Sequence, residues 1–137
     1  MRRSVLDSWA VLAWLQAEDP ARQRVRALLK LAEAGRIELF LSMINAGEVY
    51  YLLAKRHGEE QAEAFLADLP TMPIQTLLPT YRTIVGAARW KSRFRISYAD
   101  AFAVQTAQEQ DAALVSGDPE FRVLADEKVV RLDWIGR

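Results

Sequence analysis

Four carboxylates in this chain stand beside apolar segments at positions where strands end or helices begin. Asp7 follows "SVL" (4–6), Asp118 follows "ALVSG", Glu48 lies in "SMINAGEVYYLL" and Asp100 in "SYADAFAV". Each alone has an ordinary explanation. Asp7 caps the helix after it, and Asp118 before Pro119 reads as a cap with proline at the first helical position. Ser97 and Asp100 fit a capping box, and Glu48 suits a helix dipole. Jointly they point elsewhere. Glu48 sits between Ala46 and the run from Val49 to Leu53, and Asp100 among Tyr98, Ala101, Phe102 and Val104, with no Lys or Arg beside either in sequence. An acid near a core costs several kcal/mol unless paired or bound to a cation. Carboxylate oxygens suit a hard divalent cation such as Mg²⁺ or Mn²⁺.

The elements that would position these acids alternate between two periods. Strand patterns are expected at 4–6, 37–42, 72–77, 112–117 and 128–133. Helical patterns are expected over about 9–17, from a cap at Asp19 to Gly35, from a cap at Ser42 to "KRHG", over 59–70, from Pro79 through about Trp90, and over 97–110. Such alternation predicts a parallel sheet covered by helices on both faces. In a sheet of that kind, ligands gather at the carboxyl ends of the strands where strand order reverses.

The 137 residues match the commonest size of a single domain, so one domain over 1–137 is expected. Half of them (51%) are hydrophobic and 26% charged, a globular balance. Lys plus Arg and Asp plus Glu both total 18, so a nucleic-acid partner must be held by a local patch. The absence of cysteine excludes disulfides and thiolate-bound metals. "MRRSVLDSWAVLAWLQAEDP" superficially resembles a signal peptide, but Asp7 interrupts its apolar run and no small-residue cleavage site follows. No run approaches the roughly 18 uncharged apolar residues of a membrane span, so a soluble, cytoplasmic protein without membrane contact is expected.

Taken in order, "VLDS", "INAGEVYYLL", "SYADAFAVQTA" and "SGDPEF" form a pattern: a strand ending in Asp, a helix with an internal Glu, a third acid, and a closing Ser/Thr-x-Asp-x-x-Phe. From Val5 to about Leu132 the chain resembles PIN-domain ribonucleases of the VapC toxin type. The resemblance implies a three-layer α/β/α sandwich on a central parallel sheet, with the acids at its topological switch point. It implies that Asp7, Glu48, Asp100 and Asp118 are catalytic and bind one or two Mg²⁺ or Mn²⁺ ions. Asp7, Asp100 and Asp118 would be direct or water-mediated ligands, and Glu48 a ligand or the group that orients the water. Ser8 and Ser116 would hold a ligand or a phosphate by hydrogen bonding. The implied reaction is hydrolysis of RNA phosphodiester bonds by the toxin of a type II toxin–antitoxin pair. A homodimer and a cognate antitoxin are the expected protein partners. Trp9 departs from the family, many of whose members carry a small polar residue there; it narrows the pocket, stacks on a base, or packs in the core.

With one histidine, His57, a metal-free mechanism using two histidines is unavailable, and His57 in "KRHG" reads as a surface residue at a helix end. "RWKSRFR" places Arg89, Lys91, Arg93 and Arg95 around Trp90 and Phe94, a mixture suited to phosphate contacts and base stacking. The same segment also reads as a basic helix end with core aromatics. Trp14, Trp90 and Trp134 read as core or interface residues, and Leu28, Leu29 and Leu31 as core or a dimer face. Two rivals to a nuclease exist. A PIN-fold binding module without catalysis would show no metal-dependent cleavage. A receiver-like signalling domain needs an Asp ending a central strand and a lysine after a later one, and neither stands where it is required.

Overall fold

The structure is a computed structural model that describes residues 1–16 and 18–137. Among the described residues five strands form one parallel sheet: β1 (Arg2–Leu6), β2 (Ile37–Ser42), β3 (Gln75–Leu77), β4 (Ala113–Ser116) and β5 (Leu132–Trp134). Their spatial order is β3-β2-β1-β4-β5. Helices α1 (Ser8–Leu15) and α2 (Ala21–Glu33) lead from β1 to β2, and α3 (Met43–His57) and α4 (Glu59–Asp68) from β2 to β3. Helices α5 (Tyr81–Arg93) and α6 (Tyr98–Glu109) lead to β4, and the short α7 (Arg122–Asp126) to β5.

Alternation within the strands builds two cores. Successive side chains of a strand face opposite sides. Leu6, Leu39, Leu41 and Val115 therefore pack with α1 to α4, whereas their neighbours Val5, Phe40 and Leu114 pack with α5 to α7. The result is the three-layer sandwich expected from the sequence. Full burial of each such side chain contributes about 1.5–3 kcal/mol. The chain moves outward from β1 to β2 and β3, then returns to β4 on the other side of β1. The β1–β4 boundary is thus the switch point, where crossovers diverge to opposite faces and leave a crevice.

Several boundaries move, for local reasons. The first helix runs over Ser8–Leu15, and the expected end at 17 lies outside the described residues. Asp19 does not cap α2: Pro20 holds the cap position without a side-chain bond, and the Asp19 carboxylate turns to Arg22 at 3.7 Å. The strand expected over 72–77 shortens to Gln75–Leu77, because the Ile74 N–H closes a turn onto the Met72 carbonyl at 2.7 Å and Pro73 has no N–H to give. Helix α5 starts two residues after Pro79, where the Thr80 hydroxyl accepts from the Thr83 N–H at 3.2 Å, and it continues to Arg93. The last strand is Leu132–Trp134 rather than 128–133, since Lys128 turns the chain with φ 61°. Gly58, at φ 97°, ends α3. No helix among the described residues is long and apolar enough to cross a membrane.

Candidate metal centre at the switch point

Asp7 leaves β1 in extended conformation (φ −94°, ψ 179°) and caps α1. Its Oδ1 accepts the Ala10 N–H at 2.8 Å, and its Oδ2 accepts the Ser116 hydroxyl at 2.6 Å. The Ser116 Oγ in turn accepts the Asp118 N–H at 3.0 Å, so one hydroxyl joins the ends of β1 and β4 across the switch point. The capping explanation of Asp7 is therefore correct but incomplete, because a surface cap would not be 1% exposed.

Asp100 lies in the first turn of α6, whose cap Ser97 accepts the Asp100 N–H at 3.1 Å. It is buried. Beside it are Asp118, which accepts the Glu120 N–H at 3.0 Å, and Glu120 itself. One carboxylate oxygen each from Asp100, Asp118 and Glu120 lie within 4.8 Å of one another. Glu48, half-buried on α3, accepts the Tyr51 hydroxyl at 3.3 Å. Glu48, Asp100, Asp118 and Glu120 line one cleft of about 370 Å³, together with Ser8, Trp9, Ser97 and Arg56, while Asp7 stands behind it.

Electrostatics follow from that crowding. Burial pushes the Asp7 carboxyl up to about 7, against the Ser116 and Ala10 donors, and the Asp118 and Glu48 charges add to the rise. Burial, the facing Glu120 carboxyl and the Asp118 and Asp7 charges push Asp100 up to about 8. Among the described residues the ion pairs involve Asp19, Asp111 and Asp133, and none reaches these acids. An all-oxygen donor set of like charge, running from buried Asp7 and Asp100 to exposed Glu120 and joined by none of these ion pairs, fits a hard divalent cation.

The other candidates fall as follows. Ser116 holds Asp7. Ser8 is buried and lines the cleft, but its hydroxyl is taken by Asn45, donating to the backbone carbonyl at 3.3 Å and accepting from Nδ2 at 3.1 Å. Arg89, Lys91, Arg93 and Arg95 are exposed on the end of α5 and the loop before α6, and the carboxylate cleft is lined from Ser97 onward in that stretch. Trp90 and Phe94 pack against the second core, and the Trp90 N–H donates to Gln105 at 2.9 Å. Leu28 is buried in the first core, with Leu29 and Leu31 packed against it. His57 is exposed at the end of α3.

Three residues of the site were not singled out from sequence. Glu120 carried a signal, two residues beyond Asp118. Arg56 shares a helix face with Glu48 and Leu52 at spacings of four, and all three line the cleft. Asn45 gave none: its buried amide also donates to the Ala99 carbonyl at 3.1 Å, tying α3 to the first turns of α1 and α6.

The molecule is thus a doubly wound sheet with a carboxylate cleft at its switch point. The PIN domain family matches residues 4–127, and the chain belongs to that family. No curated protein matches the sequence. Among solved structures the chain is similar in fold to Mycobacterium tuberculosis VapC20, a sarcin-ricin loop cleaving toxin, at 17% identity and TM-score 0.70, covering 90% of this chain and 94% of that one. It is also similar to a chain of VapBC2 from Rickettsia felis bound to a promoter DNA fragment, at 17% identity and TM-score 0.69, covering 96% and 97%. VapBC-1 from nontypeable Haemophilus influenzae gives 19% identity and TM-score 0.68, covering 96% and 97%.

Proposed function

We propose that the chain, acting as one domain in the cytoplasm, is a Mg²⁺- or Mn²⁺-dependent endoribonuclease and the toxin of a type II toxin–antitoxin pair. The observation that carries this reading is the cluster of Asp100, Asp118 and Glu120 oxygens within 4.8 Å, backed by buried Asp7 and without a cationic partner. PIN-family membership supports it, and so does the fold shared with a sarcin-ricin loop cleaving toxin and with VapBC assemblies.

Asp100, Asp118 and Glu120 would hold one ion, and Asp7 and Glu48 would complete the site directly or through water. Such an ion supplies a water of lowered pKa and neutralises charge that builds on the phosphate and the leaving oxygen. The remaining work falls to side chains. Ser116 fixes the Asp7 carboxylate by donating to it. Glu48, half-buried and steadied by Tyr51, orients the attacking water and takes its proton. Arg56, on the rim with Glu48, draws in the substrate phosphate. Leu78 and Tyr81, 80% and 85% exposed around the start of α5, offer an apolar surface to a second copy, and the antitoxin is the other protein partner.

The test incubates purified protein with a panel of end-labelled structured RNAs, with Mn²⁺ and with EDTA, beside Asp100→Asn. Cleavage that needs Mn²⁺ and is lost in the still-folded variant is expected. Equal cleavage by the variant would refute the site assignment. A protein that binds Mn²⁺ but cleaves no RNA would instead be a binding module.

A further inference from the structure

A second cavity, of about 700 Å³, adjoins the carboxylate cleft and shares Trp9 and Glu18 with it. Gly117 and Gly136 line it, and at each an indole ring takes the space a side chain would fill. A Cβ on Gly117 would stand 2.2 Å from Cη2 of Trp9, and one on Gly136 would stand 2.8 Å from Cζ2 of Trp134 and 3.2 Å from the Gly117 Cα. Two backbone segments thus meet without side chains, and two indole rings lie against them. The Arg122 guanidinium lies 4.2 Å from the centre of the Trp134 ring. Arg137 also lines the cavity, and its carbonyl accepts the Trp134 N–H at 3.4 Å, while Glu18 and Asp19 supply carboxylates to the same lining.

We propose that this pocket takes a nucleobase of the single-stranded RNA whose neighbouring phosphate lies in the carboxylate cleft. The inference rests on the nuclease reading and adds a base-binding subsite to it. Aromatic faces and the Arg plane stack on any base, and Arg122 and Arg137 match the charge of the adjoining phosphates. Trp9 separates the two cavities, so a strand that enters the cleft passes the pocket next. The Trp9 that departs from the expected small polar residue is the shared wall. Trp134, read from sequence as core or interface, is half-buried and presents its ring to the cavity.

The test is fluorescence anisotropy with a labelled single-stranded RNA of about ten nucleotides, within the span such sites cover. Ca²⁺ replaces Mn²⁺ to limit turnover, and a fully abasic strand of equal length is the comparison. Wild type is expected to prefer the base-bearing strand. Trp134→Ala is expected to weaken its binding by about 5- to 150-fold and to erase the preference, the range that stacking of one base gives. Trp134→Phe is expected to restore most of the affinity. Arg122→Ala, at an exposed position, keeps the test alive where Trp134→Ala does not fold, and weakening with loss of preference is again expected. Variants that bind the base-bearing strand as tightly as wild type overturn the subsite while the nuclease reading stands, the result also expected if the pocket serves a protein. A wild type that binds neither strand overturns the subsite, and one that also leaves the structured RNAs uncut in Mn²⁺ overturns the nuclease reading with it.

Discussion

Asp7 occupies a position that suits a neutral acid, and Asp7→Asn tests this. Burial lifts its carboxyl from an ordinary 3.8 to about 7. The folded state therefore holds a proton that the unfolded state has released, and stability falls as pH rises between those values. The contribution is intact below about 3.8 and fully lost once pH has passed about 7. Such a rise corresponds to about 4 kcal/mol, more than half of which is lost between pH 5 and pH 8. Asparagine keeps the shape and the acceptor for Ala10 but places an amide against Ser116, a cost of about 1 kcal/mol that is the same at both pH values. Asp100 titrates in both proteins and cancels to first order. Urea unfolding in EDTA, followed by circular dichroism at pH 5 and pH 8, should show the variant gaining about 2–3 kcal/mol on wild type over that interval. A stability gap independent of pH would refute the reasoning.

Other perturbations have equally definite expectations. Gly117→Ala drives a methyl into the Trp9 ring and should cost about 1–3 kcal/mol in denaturant unfolding. Gly47→Ala, in α3 with nothing within 4 Å of the added carbon, should stabilise by about 0.5–1 kcal/mol in the same assay. Asn45→Ala strips a donor from the Ser8 hydroxyl and the Ala99 carbonyl; a loss of about 1–3 kcal/mol is expected, read from the urea midpoint. Ser116→Ala removes the donor that most lowers the Asp7 carboxyl, so Mn²⁺ binding should shift to higher pH, measured by titration calorimetry across pH 6 to 9.

The layers were legible because β1, β2 and β4 carry apolar residues on both faces, as Val5 and Leu6 show, and each long helix has a cap or stop of its own. Boundaries failed where one local bond decided them. The Met72–Ile74 turn trimmed β3, and a cap position filled by Pro20 left Asp19 without its expected role. At the site, Asp100 and Glu48 stood out because an acid amid apolar neighbours is costly. Glu120 did not, because it looks like any exposed residue after a proline until the fold turns it toward Asp100. Asn45 was invisible, since its value lies in contacts to Ser8 and Ala99, 37 and 54 residues away. The basic segment around Trp90 was readable in two ways, and its aromatics went to the core while its charges stayed in solvent.

The most direct test of a cation centre is calorimetric titration of Mn²⁺ into wild type and into an Asp7→Asn, Asp100→Asn double variant at pH 8.5, above the values to which burial pushes both acids. Saturable binding by wild type, absent from a variant that keeps its circular dichroism spectrum, is the expected result. Equal binding by both proteins, or none by either, would contradict the assignment of these carboxylates to a metal.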